Sequence, residues 1–357
     1  MYPALTVADH LAAGGHDVGF VGTPDGLEAR LASEAGVVFH GVPSRGFDRG
    51  APLTLLTSAL VTSGSLVKAQ RLIRRTRPDV VIGFGGYVSL PLGLAAVRSR
   101  VPLVLHEQNS IPGLANRVLS RWARSVGVTY EASVAHLARP ERAVLTGNPV
   151  RRAVLEASRD RGRAFLGLDP QATVVLVFGG SRGAQHLNSA VAGMAPRLMA
   201  VPGLQVVHVA GRIEAADVAD RVQAAVGETD RYRVVDYIDA MGDALAAADL
   251  VVSRAGATSI AEMTAIGRAA VLVPYPYAID DHQTGNARTV AEAGGAALVA
   301  DADLDTDEFS DVVMRLVVDA ETRDAMARAS ARRARRDATE RVAALAVDAA
   351  RIWKERW

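Results

Sequence analysis

The segment Val174-Val175-Leu176-Val177-Phe178-Gly179-Gly180-Ser181-Arg182-Gly183-Ala184-Gln185 carries the first chemical signal in this chain. An apolar run that ends in glycines and opens a helix leaves backbone N–H groups free at the positive helix terminus, which suits a diphosphate. Glycine lets the backbone turn sharply and approach the anion. The same geometry also serves a tight turn that binds nothing. The Gly-Gly-x-x-Gly spacing lacks the Gly-Lys-Ser/Thr of a nucleoside-triphosphatase loop and departs from the dinucleotide Gly-x-Gly-x-x-Gly turn. A similar turn, Gly83-Phe84-Gly85-Gly86-Tyr87-Val88-Ser89, lies in the first half, so one anionic ligand per half is expected. A third segment runs from Asp249 to Glu262, where Glu262 either accepts hydrogen bonds from a vicinal diol such as a ribose or complements a helix dipole. Beyond it, Pro274-Tyr275-Pro276-Tyr277 through Asp281-His282-Gln283 has the composition of a loop that lines a site. His106-Glu107 offers an acid–base pair, either taking up a proton or making structural hydrogen bonds at a strand end.

These segments need elements to hold them. Short β-rich runs at 18–22, 37–42, 80–84, 103–106, 174–178, 205–210, 232–237, 250–253 and 270–274 alternate with helical stretches such as 7–13, 27–35, 66–76 and 187–199. Alternation of this kind predicts an α/β fold with parallel sheets covered on both faces. The pattern resets after the polar stretch 138–142 and Gly147-Asn148-Pro149, where a charged helix over 152–167 precedes a fresh strand. The expected organisation is a first domain over 1–147, a second over 148–337 and a last helix within 338–357 whose apolar face seeks a partner.

Composition narrows the function. The 357 residues allow about two domains. Forty basic against thirty-nine acidic residues, net +1, and 5% aromatics argue against a nucleic-acid partner. The absence of cysteine excludes disulfides, thiolate metal sites and cysteine nucleophiles. Two windows without charge, 50–67 and 80–97, are interrupted by proline, glycine and hydroxyl residues, and neither has the continuous apolar character of a spanning helix.

With these residues in view, the chain resembles the MurG family of bacterial peptidoglycan enzymes, the inverting undecaprenyl-diphospho-muramoylpentapeptide β-N-acetylglucosaminyltransferases of glycosyltransferase family 28. The motifs come in order: Tyr2-Pro3-Ala4-Leu5, Gly85-Gly86-Tyr87-Val88-Ser89, His106-Glu107-Gln108-Asn109, Gly147-Asn148-Pro149-Val150-Arg151, Gly179-Gly180-Ser181-Arg182-Gly183-Ala184, the Ser253 to Glu262 segment, and Asp281-His282-Gln283. The resemblance implies a GT-B fold, two Rossmann-like parallel-sheet domains facing across a cleft. It places UDP-N-acetylglucosamine on the second domain. Gly180, Ser181 and Gly183 would meet the diphosphate, Ile238 the uracil, and Ala257, Thr258, Ser259, Ile260, Ala261 and Glu262 the phosphate and ribose. Gln283 would bind the sugar, and Arg151 the leaving diphosphate. On the first domain, Gly85, Gly86 and Tyr87 would receive the undecaprenyl-linked muramoyl-pentapeptide. His106, Glu107 and Asn109 would line the cleft, with His106 or Glu107 the candidate base and Asn109 reaching the nucleotide sugar. No Asp-x-Asp falls among the matched motifs, so neither a catalytic metal nor a cofactor is expected.

A lipid-linked acceptor implies peripheral attachment to anionic lipid on the cytoplasmic face of the membrane. Residues 49–78 carry Arg49, Lys68, Arg71, Arg74, Arg75 and Arg77 with no acid among them, beside the apolar stretch 53–61. This is either a membrane-adhering patch or a solvated helix face. Another GT-B enzyme such as a 2-epimerase, and a UDP-sugar binder without activity, are the alternative readings. Family members open with a strand and a Gly-Gly-Thr-x-Gly-His turn directly before the residues matching Tyr2-Pro3, and that histidine is their leading candidate for the base. Tyr2-Pro3-Ala4 reads as a helix opening that needs such a strand before it. The in-frame codons upstream of Met1 are therefore expected to encode an apolar strand ending in that turn, which sequencing of the upstream DNA checks directly.

Overall fold

The computed structural model describes residues 1–24, 26–44, 53–179 and 185–355. The chain divides into two compact units, Met1–Val150 with Arg336–Trp357, and Arg151–Arg335.

In the first unit, α1 (Tyr2–Ala13), with Pro3 in its first turn, leads to β1 (Gly19–Gly22), α2 (Leu27–Glu34) and β2 (Val38–Gly41). The chain continues through α3 (Leu53–Thr76), β3 (Val81–Gly83), α4 (Ser89–Arg98) and β4 (Leu103–Glu107). It then forms α5 (Leu114–Leu119), β5 (Ser125–Val128) and β6 (Ala143–Leu145). All pairings are parallel, yet the strands form two sheets, β1-β2 and β3-β4-β5-β6. Between them lies a cavity of about 1260 Å³ lined by residues 18–22 of β1 and its approach, by Val81 and Ile82 of β3, and by Val80 and Phe84 that flank it. The helical walls include Val7 and Ala8 of α1, and Ala346 and Ala350 of the C-terminal helix. Buried Ala95, Leu105, Leu119 and Val126 form the core around β4, which is buried at all five positions.

The second unit begins with α6 (Arg152–Leu155), α7 (Arg159–Leu166), β7 (Thr173–Phe178), α8 (Gln185–Gly193), α9 (Ala195–Met199) and β8 (Leu204–Val209). It continues with α10 (Ala215–Val226), β9 (Tyr232–Val235), α11 (Met241–Ala247), β10 (Leu250–Arg254) and α12 (Ala257–Ile266). β11 (Ala269–Val273), α13 (His282–Ala291), β12 (Ala296–Leu298), α14 (Asp307–Val318) and α15 (Ala320–Arg332) complete it. The six strands form one parallel sheet in the order β12-β11-β10-β7-β8-β9. β7, β10 and β11 are buried along nearly their whole length because helices cover both faces, and two apolar clusters lie on the sheet.

The last helix, α16 (Ala338–Lys354), belongs to the first unit, where Val342 and Ala343 pack on Val7 of α1. Among the described residues no helix is long and apolar enough to cross a membrane. Two sequence expectations change. The helix expected over 152–167 is two, because Ser158 is extended and its side chain accepts from the Arg161 N–H as a cap while its own N–H donates to Asp243 Oδ1. The helix expected over 187–199 breaks at Met194, where Pro196 starts a new turn.

Candidate functional site

In the second unit the carboxyl ends of the strands carry the predicted ligand residues. Gly180, Ser181 and Gly183 lie outside the described residues. α12 starts from an extended Gly256, with no acid in its first turn to occupy its N–H groups. Ala257 and Ile260 are buried, and Thr258, Ser259 and Ala261 are half-buried. Glu262, one turn further, is 5% exposed. Arg151 Nε and Nη2 both donate to its Oε1, at 2.9 and 2.8 Å. Sequence reasoning assigned these two residues to different parts of a ligand, whereas here they hold one another. Burial pushes the Glu262 carboxyl up, and Arg151 pulls it back.

Ile238 sits just past β9, buried against Leu176 and Val207 of the core, while its neighbour Tyr237 stands 53% exposed. The Arg212 guanidinium lies 5.8 Å from the Tyr237 ring, leaving an aromatic face beside the Ile238 backbone. Sequence reasoning passed over Tyr237; the signal was an aromatic residue at a strand exit. Gln283, in the first turn of α13, accepts from the Tyr275 N–H at 2.9 Å and so closes the loop after β11. Asp280 and Asp281 in that loop both adopt left-handed backbone, φ 52° and 51°. Such conformations in non-glycine residues concentrate at ligand sites.

In the first unit, Gly85 and Gly86 take φ of 81° and 77°, which a side chain would strain. The Ser89 hydroxyl donates to the Gly85 carbonyl and fixes the turn, and Tyr87 beside it is exposed. His106 is fully buried on β4. Its Nε2 lies 2.9 Å from the Gly147 carbonyl and its Nδ1 3.0 Å from Gln108 Nε2, so a neutral ring with Nε2–H donating satisfies both contacts. Burial lowers its pKa to about 4. Glu107, also buried, accepts from Asn109 N and Nδ2 on Oε1 and from Gly113 N and Asn116 Nδ2 on Oε2. Burial raises its pKa despite these donors. A ring and a carboxylate so enclosed stiffen the loop around Asn109, and the hydrogen bonds of both are taken up within the first unit.

Two parallel-sheet units, the first with a glycine turn after β3 and the second with helix starts at its strand ends, are the architecture of the GT-B fold, which nucleotide-sugar glycosyltransferases use. Residues 1–128 match the glycosyltransferase family 28 N-terminal domain, and residues 174–342 the C-terminal domain of the same family. The chain belongs to glycosyltransferase family 28. It is 42% identical over 353 residues, 97% of this chain and 94% of the relative, to a UDP-N-acetylglucosamine--N-acetylmuramyl-(pentapeptide) pyrophosphoryl-undecaprenol N-acetylglucosamine transferase of Nocardioides. To the protein of that name from Halothermothrix orenii it is 37% identical over 337 residues, 93% of this chain and 91% of the relative. The crystal structure of Acinetobacter baumannii MurG is similar with a TM-score of 0.77 and 28% identity, covering 97% of this chain and 95% of that one. A UDP-N-acetylglucosamine 2-epimerase from Listeria monocytogenes, 15% identical with a TM-score of 0.71 over 95% of this chain and 91% of that one, shares the fold.

Removing Arg151 leaves a buried carboxylate without its cation. Arg151→Ala is expected to cost about 1–3 kcal/mol at pH 7, less than a fully buried pair because Arg151 is partly exposed. Protonation of Glu262 relieves the penalty, so the loss shrinks as pH falls through its raised pKa. Adding Glu262→Gln to the variant recovers stability at pH 7. Urea unfolding at two pH values checks this; a loss that does not change with pH contradicts it.

Proposed function

We propose that this chain transfers N-acetylglucosamine from UDP-N-acetylglucosamine to the C4 hydroxyl of undecaprenyl-diphospho-N-acetylmuramoyl-pentapeptide, with inversion. The observation that carries this is identity above 40% across nearly the whole chain to a transferase of that name. The acceptor oxygen attacks the sugar C1, the C1–O bond to the diphosphate breaks, UDP departs, and a base takes the hydroxyl proton. The N–H groups at the start of α12, which no acid in the first turn engages, are placed to stabilise the departing anion. Glu262 receives the ribose on Oε2, its Oε1 being fixed by Arg151. Tyr237 stacks on the uracil held by the Ile238 backbone.

The base is proposed to come with one further parallel strand seated between β1 and β3. The cavity there, lined by one edge of each sheet, supports that reading, as does the enclosure of His106 and Glu107. Gly85, Gly86 and Tyr87 receive the acceptor diphosphate, the two glycines letting backbone approach it.

Peripheral attachment to anionic lipid is the reading favoured for the first unit. Lys68, Arg71 and Arg75 of α3 join His40 around a second cavity of about 390 Å³, and Arg74 is exposed beside them. Arg49 and the side chains of 53–61 lie outside the described residues. Leu114, Val118 and Trp122, exposed at four-residue spacing, add an apolar stripe flanked by Arg117 and Arg121.

Glu262→Ala is expected to weaken UDP binding by about 1–3 kcal/mol, measured by calorimetry, and wild-type affinity in a folded variant removes Glu262 from the site. Residues 1–357 alone are expected to transfer sugar about 10²–10⁴-fold more slowly than a chain extended before Met1 by a strand that ends in a histidine turn. Equal rates of acceptor-dependent UDP release would place the base elsewhere, and no release from the extended chain would overturn the proposed reaction. Charge reversal at Arg71, Arg74 and Arg75 is expected to weaken sedimentation with anionic vesicles while sparing UDP affinity. Unchanged vesicle binding would return these arginines to a solvated helix face.

A further inference from the structure

His186, the second residue of α8, sits where a helix disfavours a cation, because the first turn carries the positive end of the dipole. Its ring nevertheless meets two carboxylates from more than a hundred residues away. Nδ1 is 2.9 Å from Asp301 Oδ2 and Nε2 is 3.0 Å from Asp305 Oδ2. Carboxylates only accept, so both nitrogens donate and the ring is an imidazolium. Asp301 is the stronger partner, its side chain 14% exposed against 77% for Asp305.

The other oxygen of Asp301 lies 2.5 Å from Nη1 of Arg254, a buried residue at the end of β10, three positions before the start of α12. Arg254 Nη1 also donates to the Pro274 carbonyl at 3.3 Å, and its guanidinium stands 5.7 Å over the Tyr275 ring. Tyr275 in turn donates its N–H to Gln283. One line of contacts, His186–Asp301–Arg254–Tyr275–Gln283, therefore joins the starts of α8, α12 and α13, which follow three different strands. The mechanism above leaves His186, Asp301 and Arg254 without a role.

We propose that His186 is a positioning residue for donor binding: as a cation clamped by Asp301, it holds the first turn of α8 in register with α12 and with the loop that carries Gln283. This rests on the donor-site reading of the second unit. The hydrogen bonds to Asp301 and then Asp305 raise the His186 pKa. A histidine whose folded pKa lies above its unfolded value contributes fully below the unfolded value and loses that contribution as pH rises through the folded one. Among the described residues, the titratable and charged groups around α8 are Asp301 and Asp305 on the ring, Arg254 behind Asp301, Glu214 and the buried, neutral His208 on Asn188, and Arg221 on Ser189. Donor affinity is therefore expected to fall as the clamp deprotonates.

The probe is UDP-N-acetylglucosamine, whose diphosphate, esterified at both ends, keeps a constant charge over the range used. Calorimetry on the full chain between about pH 6 and pH 8.5 is expected to give affinity that weakens as His186 deprotonates, followed in parallel by its ring NMR signals. His186→Ala is expected to bind about tenfold more weakly at pH 6 and to lose that pH dependence. Asp301→Asn moves affinity the same way, the two changes are not additive, and His186→Arg restores most of the loss. In turnover the cost falls on KM for the nucleotide sugar and leaves kcat within about twofold. Wild-type affinity in His186→Ala, or wild-type binding that ignores the His186 titration, overturns the proposal while the donor site stands. If His186→Ala does not fold, the pH series on the unmodified chain decides alone. No binding by the unmodified chain overturns the donor-site reading, and the role of His186 with it.

Discussion

A strand inside a parallel sheet exposes backbone donors and acceptors along both edges, and each must find a partner before the strand can leave water. The second unit meets this demand from β12 to β9 without a break, and helices shield both faces. Its helix starts therefore gather at one end of a continuous sheet, which is what brings the starts of α8, α12 and α13 to the same end of the unit. The first unit obeys the same rule in two pieces. β4 and β5 have partners on either side, whereas β1 and β3 each turn one edge toward a cavity walled by α1 and α16.

Charge burial follows a second rule. His106 and His208 are enclosed and held neutral, the latter between Tyr232 and Asn188, and burial lowers both to about pH 4. Glu107 is buried with four donors around it, and Glu262 with one arginine on one oxygen. The four donors tie a loop together. The one-sided pair engages only one oxygen of Glu262, and this is why the ribose contact is proposed for Glu262 and not for Glu107.

Much of this was legible in the sequence. The apolar runs at 174–178 and 250–253 announced buried parallel strands, and both are buried parallel strands of the six-stranded sheet. β5, β6 and β12 were not legible. Ser125-Val-Gly-Val and Ala296-Ala-Leu are too short and too small in side chain to stand out, and they become strands because neighbours supply their ladders. The break at Ser158 was hidden because its cause, Asp243, lies 85 residues away. At the site, the residue types around Glu262 and Gln283 pointed to a ligand, but the pairing of Arg151 with Glu262 and the line through Arg254 depend on distant segments meeting. No local spacing encodes such meetings.

The position of α16 bears on how the protein is made. The second unit is one unbroken stretch, Arg151–Arg335, while the first needs Val342 and Ala343 to close against Val7. On the ribosome, the half translated first is thus the half that finishes last. Its nascent sheets wait, with α1 partly uncovered, through the synthesis of some 190 further residues, during which the second unit has all its sequence in hand. Such an order exposes the N-terminal half to chaperones and proteases for longer than its place in the gene suggests, and makes the final helix the latch that ends that exposure.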